Sequence, residues 1–300
     1  MMKRQIMLLA IASQIAFACS NTPADLMGLP EDEAERATLC GRAALAFASA
    51  GEQQGLAQTE LDRRGALLQQ VVDATDFFGV TGLDEAAGRT QLSDLETTLT
   101  TGNWLTTLNS CKAAYGLGEA EAVPQLPADA KDKAAACGAV SLVAALDGRS
   151  FDDVSAEQVM QDPQAAYFLT LGASAAGGDM AAAQTALNAR IVEVVTGGAV
   201  GTLKQQCLQD YPRAALGSVV ELPGDEGSAI AACAFASGLM SEGDDAAKAR
   251  ADAMQAALDK PEVLAIAARR SWSEAELLRQ FVELGTAPDV MTACETRFAS

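Results

Sequence analysis

Six of the seven cysteines in this 300-residue chain fall at alternating intervals, and that alternation constrains the fold more than any other feature. Beyond Cys19 they stand at Cys40, Cys111, Cys137, Cys207, Cys233 and Cys294, so successive intervals run 71, 26, 70, 26 and 61 residues. Long and short intervals in strict alternation imply three consecutive units, each with one cysteine near its start and one near its end.

The flanks keep the same register. Leu29-Pro30-Glu31-Asp32, Leu126-Pro127-Ala128-Asp129 and Leu222-Pro223-Gly224-Asp225 all read Leu-Pro-x-Asp, and the leading cysteine follows each Asp by eight residues. Four residues beyond the trailing cysteines stand Tyr115, Tyr211 and Phe298. The units therefore span 29–125, 126–221 and 222–300, with the third shortened internally. Proline suits a helix entrance, and Asp is a good N-cap that also complements the helix dipole. An aromatic residue four positions after a helical cysteine shares its face and should cover the sulfur.

The interior reads as helix almost throughout. Leu67, Val71, Thr75 and Phe78 follow helical spacing, as do Leu92, Leu95 and Leu99. Leu105, Leu108, Cys111 and Tyr115 form a closing stripe in the first unit, repeated by Val200, Leu203, Cys207 and Tyr211 in the second. Thr59-x-x-Asp62, Ser155-x-x-Gln158 and Ser273-x-x-Glu276 mark helix starts, while Gly79, Gly102 and Gly116 punctuate the first unit. Pro163 and Pro261 interrupt the middles of the later units. Alanine, the best helix former, occurs 62 times, and no alternating strand pattern is present. The expected fold is all-α: three tandem, roughly four-helix units.

Redox or metal chemistry at the six repeat cysteines would call for a Cys-x-x-Cys motif or a histidine partner, and the sequence holds neither. Buried free thiols suit a cytosolic protein, whereas structural disulfides suit an exported one. The repeat register favours Cys40–Cys111, Cys137–Cys207 and Cys233–Cys294 over pairings across units. An alanine-rich core buries less area per residue than a leucine-rich one, so each small bundle gains from such a staple.

Export has its own signal. Lys3 and Arg4 precede a mostly apolar run from Ile6 to Ala18, which ends in the small-x-small pattern Ala16-Phe17-Ala18. Residues 1–18 thus read as a secretory signal peptide, too short to span a bilayer. Cys19, directly after Ala18, resembles the acylated cysteine of a bacterial lipobox, although Ala16 stands where leucine is usual and Phe17 is atypical. Lipidation at Cys19 and ordinary cleavage after Ala18 or Ser20 are the competing expectations. One acyl chain anchors weakly, so stable anchoring needs more.

Charge narrows the function classes. Against 21 basic residues stand 40 acidic ones, and the net charge of −19 repels nucleic acid. The chain has no histidine, which removes the commonest zinc ligand and neutral-pH base. Asp152-Asp153 and Asp244-Asp245 read as helix-start acids, and 196–204 reads as a turn because it lacks the Gly-Lys-Ser/Thr ending of a phosphate loop. Trp104, beside the Leu105–Leu108 stripe, reads as core, and Trp272 as partly exposed near a helix start. No serine-nucleophile motif occurs.

The sequence therefore points to an exported, non-catalytic helical-repeat protein of the cell envelope or surface. It would be periplasmic or surface-located and would work as a protein-interaction or structural module. No cofactor, metal, nucleic acid or transmembrane span is expected, and the protein partner is undefined. The alternative is a carrier of a small apolar ligand, with a cavity of a few hundred Å³ between helices as its mark.

Overall fold

The structure, a computed structural model, describes residues 28–93, 102–146, 161–241, 243–267 and 273–298. Among the described residues there are fourteen α-helices, one short 3-10 turn and no strand. The signal-peptide residues, Cys19, Asp152-Asp153, Ser155, Gln158 and Trp272 lie outside the described residues.

The first segment contains α1 (Glu33–Gln53), α2 (Gln58–Ala74), the short α3 (Phe77–Thr81), α4 (Glu85–Ser93) and α5 (Trp104–Tyr115). The second contains α6 (Ala130–Leu146), α7 (Pro163–Ala175), α8 (Met180–Gly197) and α9 (Val200–Asp210), followed by the 3-10 turn Pro212–Ala214. The third contains α10 (Glu226–Met240), α11 (Asp245–Leu258), α12 (Pro261–Ala267), α13 (Glu274–Leu284) and α14 (Ala287–Phe298). The opening helices α1, α6 and α10 are the hubs: each packs against the helix that follows it and against the closing helix of its segment.

Local chemistry sets each hub. The Asp32 carboxylate accepts the Glu35 N–H at 2.8 Å, Asp129 accepts that of Asp132 at 3.0 Å, and Asp225 accepts that of Ser228 at 3.3 Å. All three Leu-Pro-x-Asp aspartates are thus N-caps. Glycine follows the leading cysteine in two segments. A Cβ on Gly41 would meet Leu92 Cδ2 at 2.6 Å, and one on Gly138 would meet Leu187 Cδ1 at 2.5 Å. The bare backbone lets a leucine of the penultimate helix seat directly against the hub.

Several sequence expectations need correction. Thr59 does not start α2; the helix begins at Gln58 after Ala57, with no side-chain cap. The Leu67–Val71–Thr75–Phe78 stripe does not stay on one helix, because α2 stops at Ala74 and Thr75 turns its hydroxyl onto the Val71 carbonyl. Asp76 then takes a left-handed backbone with φ 47° and redirects the chain, so that Phe77 is buried while Phe78 is 38% exposed. Gly79 lies inside α3 rather than ending a helix, whereas Gly102 precedes α5 and Gly116 is its left-handed C-cap. Pro163 and Pro261 open helices instead of interrupting them, as suits a residue with a fixed φ and no N–H to lose. Ser273 and Asp244 are N-caps, each accepting a backbone N–H three residues on.

Candidate functional site

The structure brings together Cys40 with Cys111, Cys137 with Cys207, and Cys233 with Cys294, at Cα separations of 5.8, 5.7 and 5.7 Å. Each bridge joins the opening helix of a segment to its closing helix. Their surroundings are apolar. Leu105, Leu108, Val71 and Trp104 enclose the first, Phe168 and Tyr167 the second, and Met254, Phe281 and Met291 the third. Leu29, Leu126 and Leu222, the leucines of the three Leu-Pro pairs, pack on the corresponding clusters. Tyr115, Tyr211 and Phe298 also reach them; Tyr211 lies edge-on to Phe168 at 5.7 Å, and the Tyr115 hydroxyl accepts a hydrogen bond from Arg36.

Glycines nine residues before each trailing cysteine carry a role missed by the sequence reading. Gly102, Gly198 and Gly285 all have positive φ, at 63°, 65° and 140°, and each precedes a closing helix. Their constant distance from the cysteine is the signal that could have found them. Two of these turns meet. Leu105 N–H donates to the Gly198 carbonyl and Val200 N–H to the Gly102 carbonyl, both at 2.9 Å. Trp104 lies across Gly198 and donates its indole N–H to the Val195 carbonyl. The 196–204 stretch is not a turn throughout: Thr196-Gly197 end α8, Gly198-Ala199 make the turn, and Val200 to Lys204 begin α9, while Trp104 is core as expected.

The second and third segments join differently. Leu278 of α13 shares a buried cluster with Leu142, Ala165 and Leu169, and the Tyr167 hydroxyl donates to the Val282 carbonyl. Burial pushes the Tyr167 phenol up to about 12, so it remains a donor at neutral pH.

The connectors between segments are captured from opposite sides. In the first, Asn109 of the preceding α5 exchanges two hydrogen bonds with the Glu121 backbone. At the corresponding place in the second, Asp289 of the following α14 accepts the Gly217 and Ser218 N–H groups. Val123 of the first connector packs on the first core, while Val219 of the second is 88% exposed.

Charge gathers around the first connector. Glu121 pairs with Lys112 at 2.5 Å and Arg63 at 2.9 Å, and Arg63 and Arg64 both hold Glu60. Hydrogen bonds from Arg63 and Arg64 bring the Glu60 carboxyl down to about 2. At Glu121 burial works to raise the carboxyl, but the Arg63 and Lys112 hydrogen bonds win and hold it low. Asp162 shows the reverse balance: burial raises it although it accepts the Ala165 N–H as the cap of α7. These groups neutralise one another or cap helices. Among the described residues no cluster of three or more His, Cys, Asp or Glu could hold a metal ion, and no helix is long and apolar enough to cross a membrane.

Two surface clefts stand out. One, of about 640 Å³, is walled by Leu45, Leu68, Val72, Phe78, Leu83 and Leu92, with Gln69, Glu85 and Arg89 also lining it. The other, of about 620 Å³, lies between the 217–222 connector and α14. The structure thus defines an all-helical protein with three internal disulfides, a combination compatible with export. Comparison of the chain with protein-family models, curated proteins and solved structures finds no match.

Proposed function

We propose that this chain is an exported, non-catalytic protein of the cell envelope or surface, built from three tandem disulfide-stapled helical units and serving as a protein-interaction module. The observation that carries the reading is the fully buried cystine in each segment, joining its first helix to its last. Structural disulfides persist in oxidising compartments, and three such staples give rigid helical surfaces suited to partners. Repetition is supported by the shared Leu-Pro-x-Asp cap, the leucine on each cystine cluster and the glycine before each closing helix. Two polar groups withdrawn from solvent, the buried Lys112 and the partly buried Asp162, have structural uses. Lys112 is neutralised by Glu121, and Asp162 caps α7.

Intact mass spectrometry of the protein recovered from the envelope, with and without reductant, tests export and bridging. Loss of residues 1–18 and a gain of six hydrogens on reduction are expected; a reduced, uncleaved cytosolic chain would overturn the reading. An added acyl mass on Cys19 would establish a lipid anchor. Cross-linking in the native envelope should trap a reproducible protein neighbour. A second reading, the carrier of a small apolar ligand, draws on the leucine- and phenylalanine-walled cleft of the first segment. Saturable uptake of a neutral apolar dye would favour it.

A further inference from the structure

The first-segment cleft has a counterpart that is already filled. The leading cysteines Cys40 and Cys137 are 97 positions apart, and the same step carries Leu45, Leu68 and Val72 onto Leu142, Ala165 and Leu169. A fourth wall corresponds by contact, since Leu92 and Leu187 each seat on the glycine that follows the leading cysteine. In the second segment these walls are closed: Leu142, Ala165, Leu169 and Leu187 are at most 4% exposed and share their cluster with Leu278 of α13. The occupant there is a helix from a different segment. In the first segment Val72 and Leu92 are buried with Phe77, but Leu45 and Leu68 stay partly exposed, and together these four border a cleft of about 640 Å³ at whose edge Phe78 stands 38% exposed.

We propose that the first-segment cleft is the docking seat for an amphipathic helix of a partner protein, of the kind α13 presents to the second segment. The inference rests on the interaction-module reading and names the partner's binding element. A leucine and a valine four positions apart on one helix face, as in Leu278 and Val282 of α13, are the recognised chemistry. Asp76 and Gly88 shape the seat. The left-handed turn at Asp76 aims Phe78 outward, and a Cβ on Gly88 would lie 2.6 Å from the Phe78 ring. The partner helix must be neutral or basic on its outer face, since the protein carries a net charge of −19 and Arg89 at the cleft is already paired with Glu85.

The test is titration of the full disulfide-bonded chain with a fluorescent synthetic peptide spanning Ser273–Gly285, in which lysine replaces the glutamates. Saturable one-to-one binding is expected, weakened at least tenfold by Phe78→Gln and by Leu68→Gln. It should be lost when the peptide carries Leu278→Gln. Both protein variants change partly exposed positions, and unaltered thermal melts would show that they remain folded. Binding no tighter than that of a scrambled peptide, or indifferent to both variants, overturns the inference. So does saturable binding of N-phenylnaphthylamine to the cleft that the peptide cannot displace, which would assign the cleft to a small ligand. A native cross-linked partner mapping away from the first segment would leave the interaction-module reading standing while this inference falls.

Discussion

At Gly198 the backbone has φ 65°, and an added Cβ would sit 2.3 Å from the Trp104 ring. Gly198→Ala should therefore destabilise by about 3 kcal/mol, combining overpacking with left-handed strain. Gly217→Ala, with a similar φ of 79° but nothing near its Cβ, should cost about 1 kcal/mol. Urea midpoints of the two variants compare them directly, and equal losses would remove Trp104 from the argument. Glu60 makes a pH prediction. Its carboxyl is lowered from 4.5 to about 2 on folding, so its stabilising contribution is complete above pH 4.5 and fades as pH falls toward 2. Glu121 is lowered too and adds in the same direction. Urea midpoints at pH 6 and pH 3 should fall less for Glu60→Gln than for the parent chain; identical falls would show that the arginine contacts carry no linkage.

Among helices, what could be read in advance depended on whether the determining chemistry was local. Asp32, Asp129 and Asp225 cap their helices as the Leu-Pro-x-Asp pattern implies, because a carboxylate and an N–H three residues away need nothing from the rest of the fold. Asp129→Ala should accordingly cost about 1 kcal/mol, checked by the urea midpoint, with Asp129→Ser recovering most of it. The break between α2 and α3 was not legible in that way. Leu67, Val71, Thr75 and Phe78 keep helical spacing, but the fold turns at Asp76 so that Phe77 fills the site between α1 and α2. Such a turn is decided by packing rather than by propensity. The candidate cleft was equally hidden, because a groove depends on which neighbouring helix is present to close it.

For the molecule as a whole, the all-helical class and the three cysteine pairs followed from interval and composition, whereas the joins between segments did not. Trp104 on Gly198 and Leu278 among Leu142, Ala165 and Leu169 are contacts between residues about 94 to 136 positions apart, and no periodicity announces them. The bridges set a different scale of effect. Each closes a loop of 61 to 71 residues, for which chain entropy gives about 4 kcal/mol. Replacing Cys233 and Cys294 together by alanine should lower stability by about 3 kcal/mol, with the first transition of a urea melt moving to lower concentration. An unchanged melt would mean that the third segment is held by packing alone. All six bridging sulfurs belong to residues no more than 1% exposed. A small thiol in the medium can reach them only when the surrounding helices part, so the separate reduction times of the three bonds would serve as stopwatches for three opening events within one chain.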